Sequence, residues 1–345
     1  MGQLNSTLNL ALDFQNNILN KVSRSFALTI PQLPGQLKIS VANGYLLCRI
    51  TDTIEDDINL SIEQKAYFHE KFIDVLNEHF APEQFIQELH PLLSEQTAID
   101  EKLLILNLPK VLYVTKNLPL ESQISIIKCV TIMNRGMLEF EKIININGLK
   151  NLLELEKYCY IVAGVVGEML TELFCTHLNL SIEYKNKLMP LARSFGHALQ
   201  MTNILKDRWS DYARKICYLP KELFAQLDFN ALLNNLANNN INNNIDFINN
   251  IKKLINLNIK HFKNALYYIL LIPKQETGIR RFCLWAIGMA VHLLQNINKN
   301  PGFTDVAQIK ISRTKLKRII LITNIAEKSN YLLKLWFKTA TTGLA

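Results

Sequence analysis

Apolar residues recur every three to four positions through most of this chain, and the alternation that marks a half-buried strand is hard to find. That period constrains the fold more than any other feature. Five segments carry it over long runs: "ISVANGYLLCRITDTIED", "LESQISIIKCVTIMNRGMLEFEK", "YCYIVAGVVGEMLTELFCTHL", "MPLARSFGHALQMTNILKDRWSDYA" and "IRRFCLWAIGMAVHLLQNI". Several are apolar nearly all round, so they belong at the centre of a bundle rather than on its surface. Breakers fall between them, at "PQLPG" (31–35), "NLPL" (117–120), "YLPKE" (218–222) and "NKNPG" (298–302). No linker and no internal repeat interrupts the pattern. The expectation is an all-α chain forming a single domain over residues 1–345. The Asn-rich stretch 234–250 is expected as a surface helix–loop without function of its own, because Asn favours local turns over helix interiors.

With 345 residues, 49% of them hydrophobic and 20% charged, the chain can bury a large core and is not of the disordered class. The formal charge of +8 suits an anionic small molecule or a membrane surface. Lys and Arg do not gather with aromatics in a tract, which excludes nucleic acid as the expected partner. Six cysteines (48, 129, 159, 175, 217, 283) form no CxxC pair and sit in apolar helical surroundings. They read as buried free thiols in a reducing compartment, which places the protein in the cytoplasm. The N-terminus has no secretory pattern, and Met-Gly with Ser6 is only the minimal myristoylation pattern. No uninterrupted apolar run reaches the roughly 20 residues that span a bilayer, so the protein is expected to be soluble or peripheral on the inner face of a membrane, with the basic stretch "KISRTKLKR" (310–318) as the contact.

The chemistry is concentrated in two acidic ladders. "LLCRITDTIEDD" puts Asp52 and Asp56 at i, i+4 on one helix face, with Glu55 flanking it. "NILKDRWSD" repeats the device with Asn203, Asp207 and Asp211 in register over two turns. Acidic pairs at this spacing are common on solvated helices, and one alone reads as surface. Two, each continuing an apolar helix, need a cation to offset their repulsion. Mg²⁺ fits, since it is held by one or two carboxylates together with substrate phosphate oxygens. Facing each other across a bundle, the two arrays would hold a metal cluster on a diphosphate. Arg24, flanked by Ser23 and Ser25, lies within reach in sequence of such a role, as do Arg49, one turn before Asp52, and Lys206. The plainer roles are an intrahelical ion pair for Arg49 and a helix cap for Ser23. Ala163, Gly164 and Gly167 open space on an otherwise bulky helix, for close packing or for a ligand.

Four motifs in this order, "SRSFALTIP", "YLLCRITDTIEDD", "YCYIVAGVVGEML" and "QMTNILKDRWSDYARKICYLP", resemble the squalene/phytoene synthases from about Ser23 to Arg313. "DTIEDD", "FCLWAIGMAV" and "KISR" are similar to the squalene synthase form. The resemblance implies the isoprenoid synthase helical bundle around a central apolar cavity. It also implies head-to-head condensation of two farnesyl diphosphates with Mg²⁺ (Mn²⁺ as a substitute), then reduction by NADPH. Dehydrosqualene or phytoene synthases, which use no reductant, and presqualene diphosphate synthases are the alternatives. By the same resemblance Asp52, Glu55 and Asp56 form the first metal motif and Asn203, Asp207 and Asp211 the second. Tyr158 opens the "YC" motif and handles a proton or stabilises a cation. Phe26, Tyr45, Val162, Ala163, Val166, Gly167, Gln200 and Phe282 match pocket positions. Arg24, Arg49, Lys206 and Lys310 match basic positions for diphosphate or for the phosphates of NADPH. Two departures stand out: the family often has Arg where Lys206 stands, and the basic residue expected two places after Lys310 is Ser312, with Arg313 next to it. No glycine-rich fingerprint occurs, so an NADPH site would not be of the Rossmann kind. The ending "LLKLWFKTATTGLA" carries no membrane helix and is similar to the bacterial-type soluble forms, with a monomer or weak homodimer expected.

Overall fold

The computed structural model describes residues 2–23, 25–224 and 245–344. Arg24 lies outside them, as does the 234–244 part of the Asn-rich stretch; residues 245–250 open a helix. Among the described residues all regular elements are helices and no strand forms; one isolated bridge joins Leu149 to Pro220. In chain order the helices are α1 (Gly2–Val22), α2 (Phe26–Thr29), α3 (Gly35–Asp56), α4 (Ile62–Leu76), α5 (Pro82–Leu89), α6 (Ile99–Leu106), α7 (Leu108–Lys116) and α8 (Leu120–Glu141). There follow α9 (Leu152–Cys159), α10 (Val165–Leu178), α11 (Ile182–Ala213), α12 (Lys221–Phe224), α13 (Ile245–Leu271), α14 (Thr277–Lys299), α15 (Arg313–Ala326) and α16 (Asn330–Thr341).

The chain divides into two compact units. The first takes Met1–Lys142 and Glu168–Asn186, the second Ile143–Gly167 and Lys187–Ala345. In the first, α3 is pinned by buried polar side chains that each find partners, as burial requires. Asn43 Nδ2 donates to Gln15 Oε1 (3.2 Å) and to the Val111 carbonyl (2.9 Å), and Asn43 Oδ1 accepts from Thr115 Oγ1 (2.8 Å). These contacts tie α3 to α1 and α7. At the residue just before the acidic ladder, Asn134 Nδ2 donates to Thr51 Oγ1 (2.9 Å), and Asn134 Oδ1 meets His69 Nδ1 (2.6 Å), which joins α3 to α8 and α4. A ring cluster, Phe68, Phe72 and Phe85, fills the space between α4 and α5.

In the second unit, α11 runs 32 residues with Pro190 inside it. Arg280 of α14 has no exposed surface, yet its guanidinium is satisfied. It donates to the carbonyls of Ile272 (2.6 and 3.0 Å) and Glu327 (2.6 Å) and to Asn330 Oδ1 (2.9 Å), fastening the start of α14 to the turn between α15 and α16. All six cysteines are free and buried.

Two expectations change. "YCYIVAGVVGEML" is not one regular α-helix: Tyr160–Gly164 is a π-helical segment between α9 and α10. A π turn accommodates one extra residue, a feature that hydrophobic periodicity does not reveal. The continuous run Leu152–Leu178 is 27 residues long and, by length and composition, apolar enough to cross a membrane. The residue pattern, broken by Glu154, Glu156, Lys157 and Glu168, hid that length. Within the structure 56% of its apolar window is buried.

Candidate functional site

The first unit gathers Ser23, Phe26, Tyr45, Arg49, Asp52, Glu55 and Asp56. The Ser23 hydroxyl accepts from the Phe26 amide (3.0 Å), the first of the short α2, whose N-cap position is Ser25. Tyr45 donates to the Val22 carbonyl (3.1 Å), and its ring lies 5.0 Å from Phe26. Ser25 is exposed. One turn on from Tyr45, Arg49 binds Glu101 of α6 and lies 3.9 Å from Asp52. Burial opposes the Arg49 charge, but Asp52 and Glu101 outweigh it and hold the guanidinium more firmly protonated than usual.

The carboxylates respond in the opposite sense. Burial pushes the Asp52 carboxyl up to about 7; Arg49 lowers it, and Asp56 and Glu101 raise it further. Glu55 is raised well above the ordinary value by burial and then by Asp56, Asp52 and Glu141, with Lys65 in opposition. Lys65 binds the Glu55 carbonyl and, at 2.8 Å, the Glu141 carboxylate. Burial therefore makes the ionised form of both acids costly unless a cation joins them. A hard divalent cation fits that environment.

Asp57, the fourth acid of the run, does something else. Buried, it accepts from the amides of Asn59 (2.9 Å), Leu60 (3.3 Å) and Ser94 (2.9 Å) and from Thr97 Oγ1 (2.6 Å). It ends α3 and ties down the loop before α6.

The second unit holds Tyr158, Val162, Ala163, Val166, Gly167, Gln200, Asn203, Lys206, Asp207, Asp211, Phe282 and Lys310. Tyr158 is buried and stacks on Tyr218 at 4.5 Å. Val162, Ala163, Val166 and Gly167 are half-buried, whereas their neighbours Ile161, Gly164 and Val165 are buried. A Cβ on Gly167 would stand 2.3 Å from the Ala192 carbonyl oxygen, and one on Gly196 2.3 Å from that of Ala163. Close backbone approach is therefore the reason for Gly167, and Gly196 is its counterpart on α11. Phe282 is buried and Gln200 half-buried.

Along α11, Asn203 is exposed, Asp207 pairs with Lys206 (3.0 Å) and Asp211 with Arg214 (2.8 Å). Between these acids Arg208 turns inward. It donates to the carbonyls of Leu205 (2.8 Å), Pro301 (2.6 Å) and Phe303 (3.3 Å) and lies 3.8 Å over the Phe303 ring. Burial lowers its pKa to about 9. Trp209 donates to the same Phe303 carbonyl (2.5 Å). Together they fasten the second ladder to the 301–303 loop. Lys310 is exposed; Ser312 caps α15 by accepting from the Lys315 amide (3.1 Å).

Among the described residues no three His, Cys, Asp or Glu side chains surround one point as a protein-only metal site would. Mg²⁺ does not need that arrangement when phosphate oxygens and water complete its shell. A separate hollow of about 390 Å³, lined by Val75, Phe80, Pro109, Leu112 and Tyr113 among others, includes none of the predicted site residues. Glu101, Lys65, Glu141 and Arg208 were not singled out from sequence. Each lies far along the chain from its partner, or carries no pattern of its own.

A family model described as squalene/phytoene synthase matches residues 19–316. Squalene synthase ERG9 of Saccharomyces cerevisiae is 31% identical over 287 residues, covering 82% of this chain and 61% of that protein. Squalene synthase of Bos taurus is 30% identical over 294 residues, covering 85% and 65%. The chain thus spans about three-fifths of the length of the curated relatives it matches. A ligand complex of TcSQS superposes with a TM-score of 0.76 at 22% identity, covering 96% of this chain and 92% of that one. A dehydrosqualene synthase crystal structure superposes with a TM-score of 0.63 at 20% identity, covering 96% and 98%. These likenesses show the fold, the all-α isoprenoid synthase architecture. On the extent of the model match, the chain belongs to the squalene/phytoene synthase family.

Proposed function

We propose that this chain is a squalene synthase, a prenyltransferase that joins two farnesyl diphosphates head to head through presqualene diphosphate and reduces that intermediate to squalene. The observation that carries the reading is the first ladder, Asp52, Glu55 and Asp56, within the last two turns of α3, beside Arg49, which pairs with Glu101 and lies 3.9 Å from Asp52. Mg²⁺, when bound, offsets charge on the departing diphosphate, and NADPH supplies the hydride of the second half-reaction. Asp52, Glu55 and Asp56 take the first metal motif's role and Asn203, Asp207 and Asp211 the second's. Arg49, Lys206 and Arg24 bind diphosphate oxygens, aided by Ser23 and Ser25. Phe26, Tyr45, Val162, Ala163, Val166, Gly167, Gln200 and Phe282 flank the prenyl chains. Apolar walls exclude the water that would otherwise quench the allylic cation. Tyr158, on a ring held by Tyr218, takes the role its motif implies, proton handling or stabilisation of the cation in the first half-reaction. Lys310 meets a phosphate of NADPH.

Ser312 favours a second reading. It stands where a basic residue was expected, and its hydroxyl caps α15. A synthase without reductant, which loses a proton and yields dehydrosqualene, needs no such base. Incubation with farnesyl diphosphate and Mg²⁺, with and without NADPH, followed by product mass, separates the two. Squalene only with NADPH supports the first; one dehydrosqualene product under both conditions supports the second. No prenyl product with intact, folded protein overturns both.

A further inference from the structure

Polar side chains line the seam where α11 meets α13. Asn258 of α13 has no exposed surface. Its Nδ2 donates to the Ala198 carbonyl (3.2 Å) and to Thr202 Oγ1 (3.0 Å) of α11. These bonds fix the amide's orientation and leave Asn258 Oδ1 buried without a donor. His197, the residue before Ala198, is in the same state. The Glu156 carbonyl of α9 accepts from its ring, and since Nε2 is buried without a partner, the donor is Nδ1. His197 Nε2 therefore keeps a lone pair that nothing uses. One turn along α13 from Asn258 stands His261, its ring centroid 5.0 Å from that of His197 and the two planes at 86°. His261 Nδ1 lies 3.2 Å from Ser194 Oγ, to which Asn264 Nδ2 donates at 3.0 Å. With Nδ1 held by Ser194, Nε2 is the nitrogen left to bind. Burial pushes His197 down to about 4 and lowers His261 as well, so both rings are neutral at pH 7. A buried acceptor without a donor is costly, and this seam holds two of them beside a second imidazole.

We propose that His197, His261 and Asn258 bind one transition-metal ion of the class that prefers imidazole, Zn²⁺ or Ni²⁺, between α11 and α13. An ion about 2 Å from each Nε2, at a tetrahedral angle, sets two imidazole centroids roughly 5 Å apart, which is the separation observed. Asn258 Oδ1 is the third protein ligand, and water completes the shell. The Glu156 carbonyl and the Ser194 hydroxyl are the outer partners that hold the two rings in place. Both histidines are half-buried, which leaves an ion a way in from solvent. Mg²⁺ demands oxygen ligands and does not compete. The ion would staple α13 to the helix that carries Asn203 and Asp207, whatever reaction that helix serves.

The test is calorimetric titration of the whole chain, kept reduced and in saturating Mg²⁺, with NiCl₂ and separately with ZnCl₂. One ion per chain is the expected result with either salt. His197→Ala and His261→Ala should each abolish that binding, and Ser194→Ala should weaken it about tenfold. His79→Ala/His177→Ala, at two exposed histidines, should leave it unchanged. Ni²⁺ should raise the melting temperature of the wild type and not that of His261→Ala. Melts without metal report whether each variant folds, and His261→Phe, which keeps a ring and removes both nitrogens, replaces any that does not. Failure of the wild type to bind either ion, with water alone serving the orphan acceptors, overturns the proposal. Binding that survives loss of the His197 or His261 ring nitrogens overturns it too. So does loss of the same binding in Asp52→Asn, which would assign the ion to the first ladder.

Discussion

Gly196→Ala tests whether close backbone packing sets the geometry around the π segment. A Cβ there would meet the Ala163 carbonyl oxygen at 2.3 Å, its carbon at 2.5 Å and the Gly164 nitrogen at 2.8 Å. These are main-chain atoms with no rotamer to yield. Ordinary contact begins near 3.4 Å, so α11 and the Tyr160–Gly164 segment must part by about 1 Å. Overpacking of this kind costs about 1–3 kcal/mol. The gain in helix propensity from Gly to Ala, about 1 kcal/mol, offsets part of it, and because the clash is with one rigid peptide unit, Ala163–Gly164, the cost should lie at the upper end and the net loss be about 2 kcal/mol. For a unit of this size that is a fall in melting temperature of roughly 4–8 °C. Gly44→Ala is the control. Its Cβ would meet only Met169 Sδ at 3.0 Å, Met169 Cε at 3.1 Å and Ile126 Cγ1 at 3.4 Å. A methionine tip can swing away, so the melt should move little. Thermal melts followed by circular dichroism measure both. If Gly196→Ala melts with the wild type, or Gly44→Ala falls as far, the packing argument is wrong. In the same experiment product formation by Gly196→Ala should drop, since Ala163 stands in the displaced segment.

Asp52→Asn should raise the melting temperature of the metal-free protein at pH 8. The wild-type carboxyl moves from 3.8 to about 7 on folding, so the folded state takes up a proton and stability falls as pH rises through that window; the difference should close toward pH 4. Mg²⁺ with pyrophosphate should restore the wild type and not the variant, whose turnover should be lost. Glu101→Ala should let Arg49 turn fully onto Asp52 and raise the Mg²⁺ concentration for half-maximal activity roughly tenfold; an unchanged Mg²⁺ titration would show that Glu101 has no part in positioning Arg49. Arg280→Met keeps the buried stem but orphans the Ile272 and Glu327 carbonyls, and should cost about 3 kcal/mol in urea denaturation.

The helical period and the i, i+4 ladders were legible because both are local: residues four apart must share a face whatever the tertiary structure does. The same locality hid what lies around the ladders. Arg49 looked like a partner for Asp52 or Asp56, yet its closest acid is Glu101, 52 positions away. Asp57 continues the acidic run in sequence, but its backbone has already left the helix and its oxygens close a turn and a loop. Ser23 is not the N-cap of α2, which is Ser25, but its hydroxyl accepts the first amide of that helix. Arg208 gave no signal at all: an Arg between two acids suggests a surface pair, and only the Pro301 and Phe303 carbonyls explain why it is buried.

The π segment makes the length of this helix locally adjustable. A widened turn absorbs one surplus residue and leaves the turns on either side in phase. Deleting a residue between Tyr160 and Gly164 would let the chain run on as plain α-helix, with Tyr158 still on Tyr218 and Gly167 still against the Ala192 carbonyl. The same deletion in α9 or α10 would swing every later side chain by roughly 100°. Shortening the widened turn would therefore alter the spacing of Val162 and Ala163 and spare the anchors that flank them.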